Sequence, residues 1–235
     1  LAGEEMRASG LRVEHEIERV DLRISGQDLK LEGSLVVTTT DTLAENLLGP
    51  HLAAFKKAYP GIRLELVLDN QHVNLSKRQA DVAVRPTTSP PETLVGRRLC
   101  ALAFAPYAAK SYLKQHAGDL ADMDWLSVDE SLAHLAADKW FRRQFPDVRI
   151  ALRSNSLLGL LHTCEAGMGA ALLACFMADR RKTLVRLDAP IDDASSALWL
   201  LTHEDLRRTG RVRAFMDFMA VSLAAEIDLI EGRAE

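Results

Sequence analysis

"GSLVVTTTDTLAENLLGPHLAAFKKAYPGIRLELVL", residues 33–68, decides the fold. Its opening, "GSLVVTTT" (33–40), is a short β-branched run that reads as a strand. The period then changes. Leu43, Leu47, Leu48, Leu52 and Phe55 share one face of a helix over 43–58, which Pro60 and Gly61 end. "IRLELVL" (62–68) alternates as a second strand. A short helix is expected near 72–80, and "ADVAVRP" (80–86) supplies a third strand. This β-α-β-α-β rhythm belongs to a parallel sheet with helices on its faces.

Downstream, "TTSPPET" (87–93) reads as a loop and "LCALAFA" (99–105) as a strand leaving the unit. A second set follows. "YAAKSYLKQHA" is expected to be helical, "DWLSV" (124–128) a strand, "LAADKWFRRQFP" a helix stopped by Pro146, and "VRIALRS" (148–154) a strand. "SLLGLLHTCEAGMGAALLACF" is a helix that turns at Gly167–Gly169 into a buried strand. "LVRLDAP" is another strand, and "SALWLLTH" (196–203) crosses back to the first unit. "GRVRAFMDFMAVSLAAEI" closes the chain as an amphipathic helix. The expected fold class is α/β, with two Rossmann-like lobes joined by hinge crossovers and preceded by a long helix. The expected division is a linker or dimerisation helix at 1–32, a first lobe at 33–104 plus 201–235, and a second lobe at 105–200. "IEGR" (230–233) matches a protease tag site and equally suits a natural helix end.

Upstream, Met6, Val13, Ile17, Val20 and Ile24 are the apolar positions of a charged helix over 4–26. The last four fall at alternating steps of four and three, the seam of a helix lying along another helix. A helix this charged on its outer face does not fold alone for long, so it either packs on its own domain or pairs with a second copy. No N-cap residue precedes Leu1, so the natural chain is expected to extend upstream.

With 235 residues and 48% hydrophobic content, the chain can bury one large core or two small ones. A net charge of −4 excludes the basic footprint of a chain that grips nucleic acid by itself. The polar, acidic start "LAGEEMRASG" is no secretion signal, and the apolar run "GAALLACFMA" (169–178) is about half a membrane span. A cytoplasmic protein with no membrane partner is expected. Cys100, Cys164 and Cys175 read as buried reduced thiols. A redox role for Cys164 and Cys175 lacks a basic neighbour to stabilise a thiolate.

Ligands of open parallel sheets bind beyond the carboxyl ends of the strands, where helices begin. Thr38, Thr39, Thr40, Asp41 and Thr42 occupy that place. Hydroxyls and first-turn N–H groups there favour an anion. Plain N-capping by Thr40, Asp41 or Thr42 explains part of the same pattern. Arg85, at the end of its strand, is either a positive group near the pocket or half of a surface ion pair. Ser154 and Asn155 repeat the strand-to-helix junction in the second lobe, so two mouths across a hinge would clamp a small acid. Catalytic constellations are absent: there is no G-x-S-x-G and no phosphate loop. "HTCE" (162–165) lacks the second histidine of a zinc site, and "GMG" (167–169) does not follow a strand as a dinucleotide loop must. The reading is a non-enzyme with no cofactor and no metal.

The stretch from "LEGSLVVTTT" to "ADVAVRP", with "FAPYAAKSYLKQHA", "EAGMGAALL" and "ALWLLTHEDLRRTGRVRAFMDFM", resembles the effector-binding domain of LysR-type transcriptional regulators. "LAGEEMRASGLRVEHEIERVDLRI" resembles that family's linker helix. The resemblance implies two lobes of the periplasmic-binding-protein type II, dimers through the linker helix, and often tetramers. It also implies a winged helix-turn-helix ahead of residue 1, through which alone DNA would be bound. A small, carboxylate-like inducer would sit between the lobes and modulate transcription. It places polar contacts at Thr40 to Thr42, near Asp69 and Asn70, and near Ser154 and Asn155. This chain departs from the family at Ala174–Cys175, where a proline is usual, and in "KRQAD", where a glycine is common. Two rivals share the scaffold. A solute-binding protein would carry an export signal and no charged helix; an enzyme would need a nucleophile or acid/base pair in the cleft.

Overall fold

The computed structural model describes residues 30–70, 80–116 and 118–234. The helix expected over 4–26, with Met6, Val13, Ile17, Val20 and Ile24, lies outside the described residues, and so does nearly all of the one expected near 72–80. Among the described residues, ten strands form two five-stranded sheets.

The first sheet has the order β2-β1-β3-β10-β4. Its strands are β1 (Gly33–Thr39), β2 (Ile62–Leu68), β3 (Val82–Pro86), β4 (Leu94–Leu102) and β10 (Ser196–His203). β1 runs parallel to both β2 and β3, while β10 runs antiparallel to β3 and β4. Being central explains why β1 is nearly continuously buried and reads as an unbroken β-branched run. β2 is an edge strand and leaves Leu66, Val67 and Leu68 exposed.

Between β1 and β2, helix α1 runs in three contiguous stretches: Asp41–Leu43, a π-helical turn Ala44–Leu48, and Gly49–Ala58. Pro50 has no N–H for the i→i−4 ladder, and one wide turn before it absorbs the break. Asn46 Nδ2 donates back to Thr42 O at 2.9 Å and fills a carbonyl in that turn. The helix ends at Tyr59, before Pro60, where Lys56 Nζ covers the carbonyls of Pro60 and Ile62 at 2.7 and 2.9 Å. Phe55 packs edge-on against Phe215, with ring centroids 5.0 Å apart. That contact joins α1 to the closing helix α6 (Gly210–Ala224).

The second sheet has the order β7-β6-β8-β5-β9. Its strands are β5 (Phe104–Ala109), β6 (Trp125–Val128), β7 (Ile150–Ser154), β8 (Ala170–Ala174) and β9 (Leu184–Arg186). Helices α2 (Lys110–Leu113), α3 (Ala136–Gln144), α4 (Leu157–Glu165) and α5 (Cys175–Ala178) connect them, and α7 (Ile227–Ile230) ends the chain. Trp125, Phe141 and Phe145 form this lobe's aromatic core. Helix α4 stops at Gly167, whose φ of +86° only glycine adopts cheaply.

Three expectations change. Tyr107–Ala109 are strand, not helix: they pair with Arg186, Val185 and Leu184, and only Lys110–Leu113 is helical. Ladder pairing overrides the helical propensity of "YAAK". The strand expected over 99–105 is two strands meeting at Ala103, with β4 starting at Leu94. The sequence places the return to the first lobe at Leu201; β10 makes it from Ser196 onward. "IEGR" is built into the fold, because Ile230 O accepts from Ala103 N at 3.1 Å and Gly232 O from Arg186 NH1 at 2.7 Å.

Candidate functional site

The chain crosses between the sheets at Ala103 and again between β9 and β10. Residues at the carboxyl ends of β1, β3, β7 and β8 meet these crossings around one cleft. It holds ≈ 990 Å³ of empty space counted out to its mouth. Its floor is apolar: Leu102, Phe104, Phe176 and Met177 come from the crossings and α5. Its rim is polar, with Thr40, Thr42, Asn70 and Arg85 from the first lobe and Asn155 from the second.

At the first helix mouth, Thr40 is the N-cap, its Oγ1 accepting from Leu43 N at 3.3 Å. Thr40 Oγ1 and Thr42 Oγ1 share a hydrogen bond of 2.9 Å. The other first-turn N–H groups are held too. Asp41 N donates to Asn70 Oδ1 at 3.2 Å, Thr42 N to Asp41 Oδ1 at 2.6 Å, and Ala44 N to Thr40 O at 3.0 Å. Capping and cleft-lining are thus done by the same residues, and a carboxylate of the protein itself rests on the helix mouth.

Arg85 is 2% exposed, which corrects the surface ion-pair alternative. Its NH2 donates to Thr38 Oγ1 at 3.1 Å and lies 3.8 Å from Asp69 Oδ2. Burial lowers its pKa, and the Asp69 charge opposes that shift.

Three residues expected at the cleft serve elsewhere. Thr39 is fully buried and donates to Val84 O at 2.9 Å, tying β1 to β3. Asp69 stands beside Arg85 without lining the cleft. Ser154 Oγ accepts from Ser156 N at 3.1 Å in a local turn before α4, whose N-cap is Ser156. The cleft also takes Thr87 and Thr88 after β3, and His134 and Leu135 between β6 and α3. The loop after β6 is a strand-to-helix junction like the other two, a signal the sequence offered.

All three cysteines are buried and reduced. Burial pushes the Cys100 thiol up to about 11 and the Cys164 thiol up to about 12; it raises Cys175 as well. Among the described residues, no group of three or more His, Cys, Asp or Glu is placed to hold a metal ion. His162 of "HTCE" is half exposed and lies 3.5 Å from Glu165 and 3.7 Å from Glu45. No helix among the described residues is long and apolar enough to cross a membrane.

Two lobes, two crossings and a cleft at the strand ends define a hinged α/β ligand-binding domain. The sequence model described as the LysR substrate binding domain matches residues 30–223, and the chain belongs to that family. Among curated relatives, the HTH-type transcriptional activator AaeR of Escherichia coli (strain K12) is 28% identical over 68% of this chain and 54% of its own length. The HTH-type transcriptional regulator CrgA of Neisseria meningitidis serogroup C (strain 8013) is 27% identical over 82% of this chain and 68% of its own. The chain thus spans about half to two thirds of these relatives. The solved CrgA regulatory domain superposes with a TM-score of 0.69 at 27% identity, covering 82% of this chain and 99% of that one. The effector binding domain of AmpR from Citrobacter freundii shares the fold, with a TM-score of 0.67 at 20% identity over 83% of this chain and all of that one.

Proposed function

We propose that this chain is the sensor region of a LysR-type transcriptional regulator and that its cleft binds a small organic acid. The observation that carries this is the cleft itself: an apolar floor, a rim of threonines and asparagines, and a helix mouth on which a carboxylate already rests. A ligand carboxylate would take the place of the Asp41 carboxylate on Thr42 N, with Arg85 nearby in the wall. Charge-assisted hydrogen bonds of this kind contribute roughly 1.5–3 kcal/mol each.

The output would be transcription. The relatives are named as HTH-type regulators, and DNA would be engaged through such a segment joined to this domain, in the cytoplasm. The ligand acts by preferring one lobe or subunit arrangement; a 100-fold preference corresponds to about 2.7 kcal/mol. Residues 1–26 would pair copies of the chain into dimers or tetramers. Sensing is also the role under which the relatives are named, as transcriptional regulators. A thermal-shift screen of small organic acids, followed by calorimetry, tests the reading. At least one acid should raise the melting temperature and bind at one site per chain. Binding that survives Thr40→Ala plus Thr42→Val unchanged would place the ligand elsewhere and overturn it.

A further inference from the structure

Behind the cleft lies a second, narrower cavity inside the second lobe, with ≈ 340 Å³ of empty space counted out to its mouth and room within for about one small polar group. Phe104, Leu135, Ala137 and Leu157 line both, so the small cavity opens off the floor of the large one. Its walls are apolar except for Ser127 and Asp138. Asp138 sits in the first turn of α3, and its side chain is 2% exposed. One carboxylate oxygen, Oδ2, accepts from Arg142 Nε at 2.7 Å. The other, Oδ1, is buried and has no hydrogen-bond partner.

A buried carboxylate oxygen without a donor costs free energy that a donor would return. An ion pair with Arg142 and a place in the first turn of α3 explain Oδ2; they leave Oδ1 unexplained. Ser127 and Asp138 offer an ordered water no more than the minimum of two polar partners, and a ligand hydroxyl in the same place would displace it. We infer that the cavity is an annex of the ligand site, and that the acid bound in the cleft carries an apolar body ending in a hydroxyl or similar donor, which Asp138 Oδ1 accepts. This rests on the reading of the cleft as an acid-binding site. The annex also selects against a second carboxylate at the far end, which would meet the Asp138 charge.

Calorimetry on the 235-residue chain tests the inference with two matched series. One is phenylacetate, 4-hydroxyphenylacetate and 4-methoxyphenylacetate. The other is hexanoate, 6-hydroxyhexanoate and adipate. In a series that binds, the hydroxylated acid should bind about tenfold tighter or more than its parent, since a hydrogen bond to a charged acceptor is at stake. The methyl ether and the diacid should bind no better than the parent. Asp138→Leu should erase the preference, and Asp138→Asn should retain part of it. The comparison among ligands is made on the unaltered chain, so a poorly folding variant does not remove the test. Equal affinities within a series, or a preference that survives Asp138→Leu, would overturn the annex and leave the cleft reading standing. If no acid of either series binds, both are overturned.

Discussion

Arg181 of the second lobe donates through NH2 to Asn46 Oδ1 of the first lobe at 2.9 Å. Asn46 lies in the π-helical turn of α1, so the irregular part of that helix is the part that reaches across. Around this contact, Arg181 is also 3.8 Å from Glu45 and from Glu165, and His162 is 3.7 Å from Glu45. A second strap joins Arg180 to Glu226 at 2.6 Å, with His51 at 3.7 Å on the first-lobe side. The relative placement of the lobes therefore depends on part-exposed polar contacts as well as on the crossings.

Such pairs are weak. Each contributes roughly 0.2–1 kcal/mol. Arg181→Ala should lower the melting temperature by no more than about 2–4 °C, the shift expected per kcal/mol at this size. Its effect on lobe spacing should be larger, seen as an increased radius of gyration by small-angle scattering without ligand. An unchanged scattering profile would show that the crossings alone fix the arrangement.

Thr40 and Thr42 separate capping from ligand contact. Thr40→Ala removes the N-cap acceptor and should cost about 1 kcal/mol of stability. Thr42→Val keeps the shape and spares the cap, losing only the hydroxyl pair with Thr40. It should leave thermal stability almost unchanged and weaken acid binding about tenfold or more by calorimetry.

Arg85 is a test of burial. Arg85→Ala takes away the Thr38 hydrogen bond and the guanidinium 3.8 Å from Asp69. Breaking a buried pair from one side costs about 3 kcal/mol. Chemical denaturation should show that loss, and Arg85→Lys should recover part of it. A surface pair would lose well under 1 kcal/mol, an outcome that would contradict the buried setting.

The thiols predict an alkaline weakness. Cys100 and Cys164 titrate higher in the folded chain, at about 11 and about 12, than the usual 9.0, because burial penalises the thiolate. The folded state thus holds these protons more tightly. The stability they support is complete below the unfolded pKa and is lost as pH rises from about 9 through the folded values. Melting temperature should fall over that range, and Cys100→Ala or Cys164→Ala should flatten the fall. At neutral pH, a thiol reagent should label no cysteine until the chain unfolds.

Much of this molecule is legible from periodicity. The β1-α1-β2 stretch and the strand over 196–203 follow from β-branched runs and a helical apolar face, and Ser196–His203 matches to the residue. Where propensity and pairing compete, pairing wins: Tyr107–Ala109 read as helix and form the ladder with β9. The rim was also partly legible. Thr40, Thr42, Asn70, Arg85 and Asn155 line the cleft because strand ends and helix starts are visible in sequence. Thr39 was not separable from Thr40, since the facing of a strand residue depends on where the strand stops. The floor was illegible. Phe104, Phe176 and Met177 come together only through the two crossings, which no local pattern encodes.

Asp41's grip on Thr42 N at 2.6 Å has a consequence for how such a sensor would be tuned. An incoming acid would meet an incumbent, tethered one residue away and never diluted. Evicting it taxes every guest alike, so occupancy would track a rising supply of the acid instead of saturating at a trace, and the signal would fade promptly once supply falls.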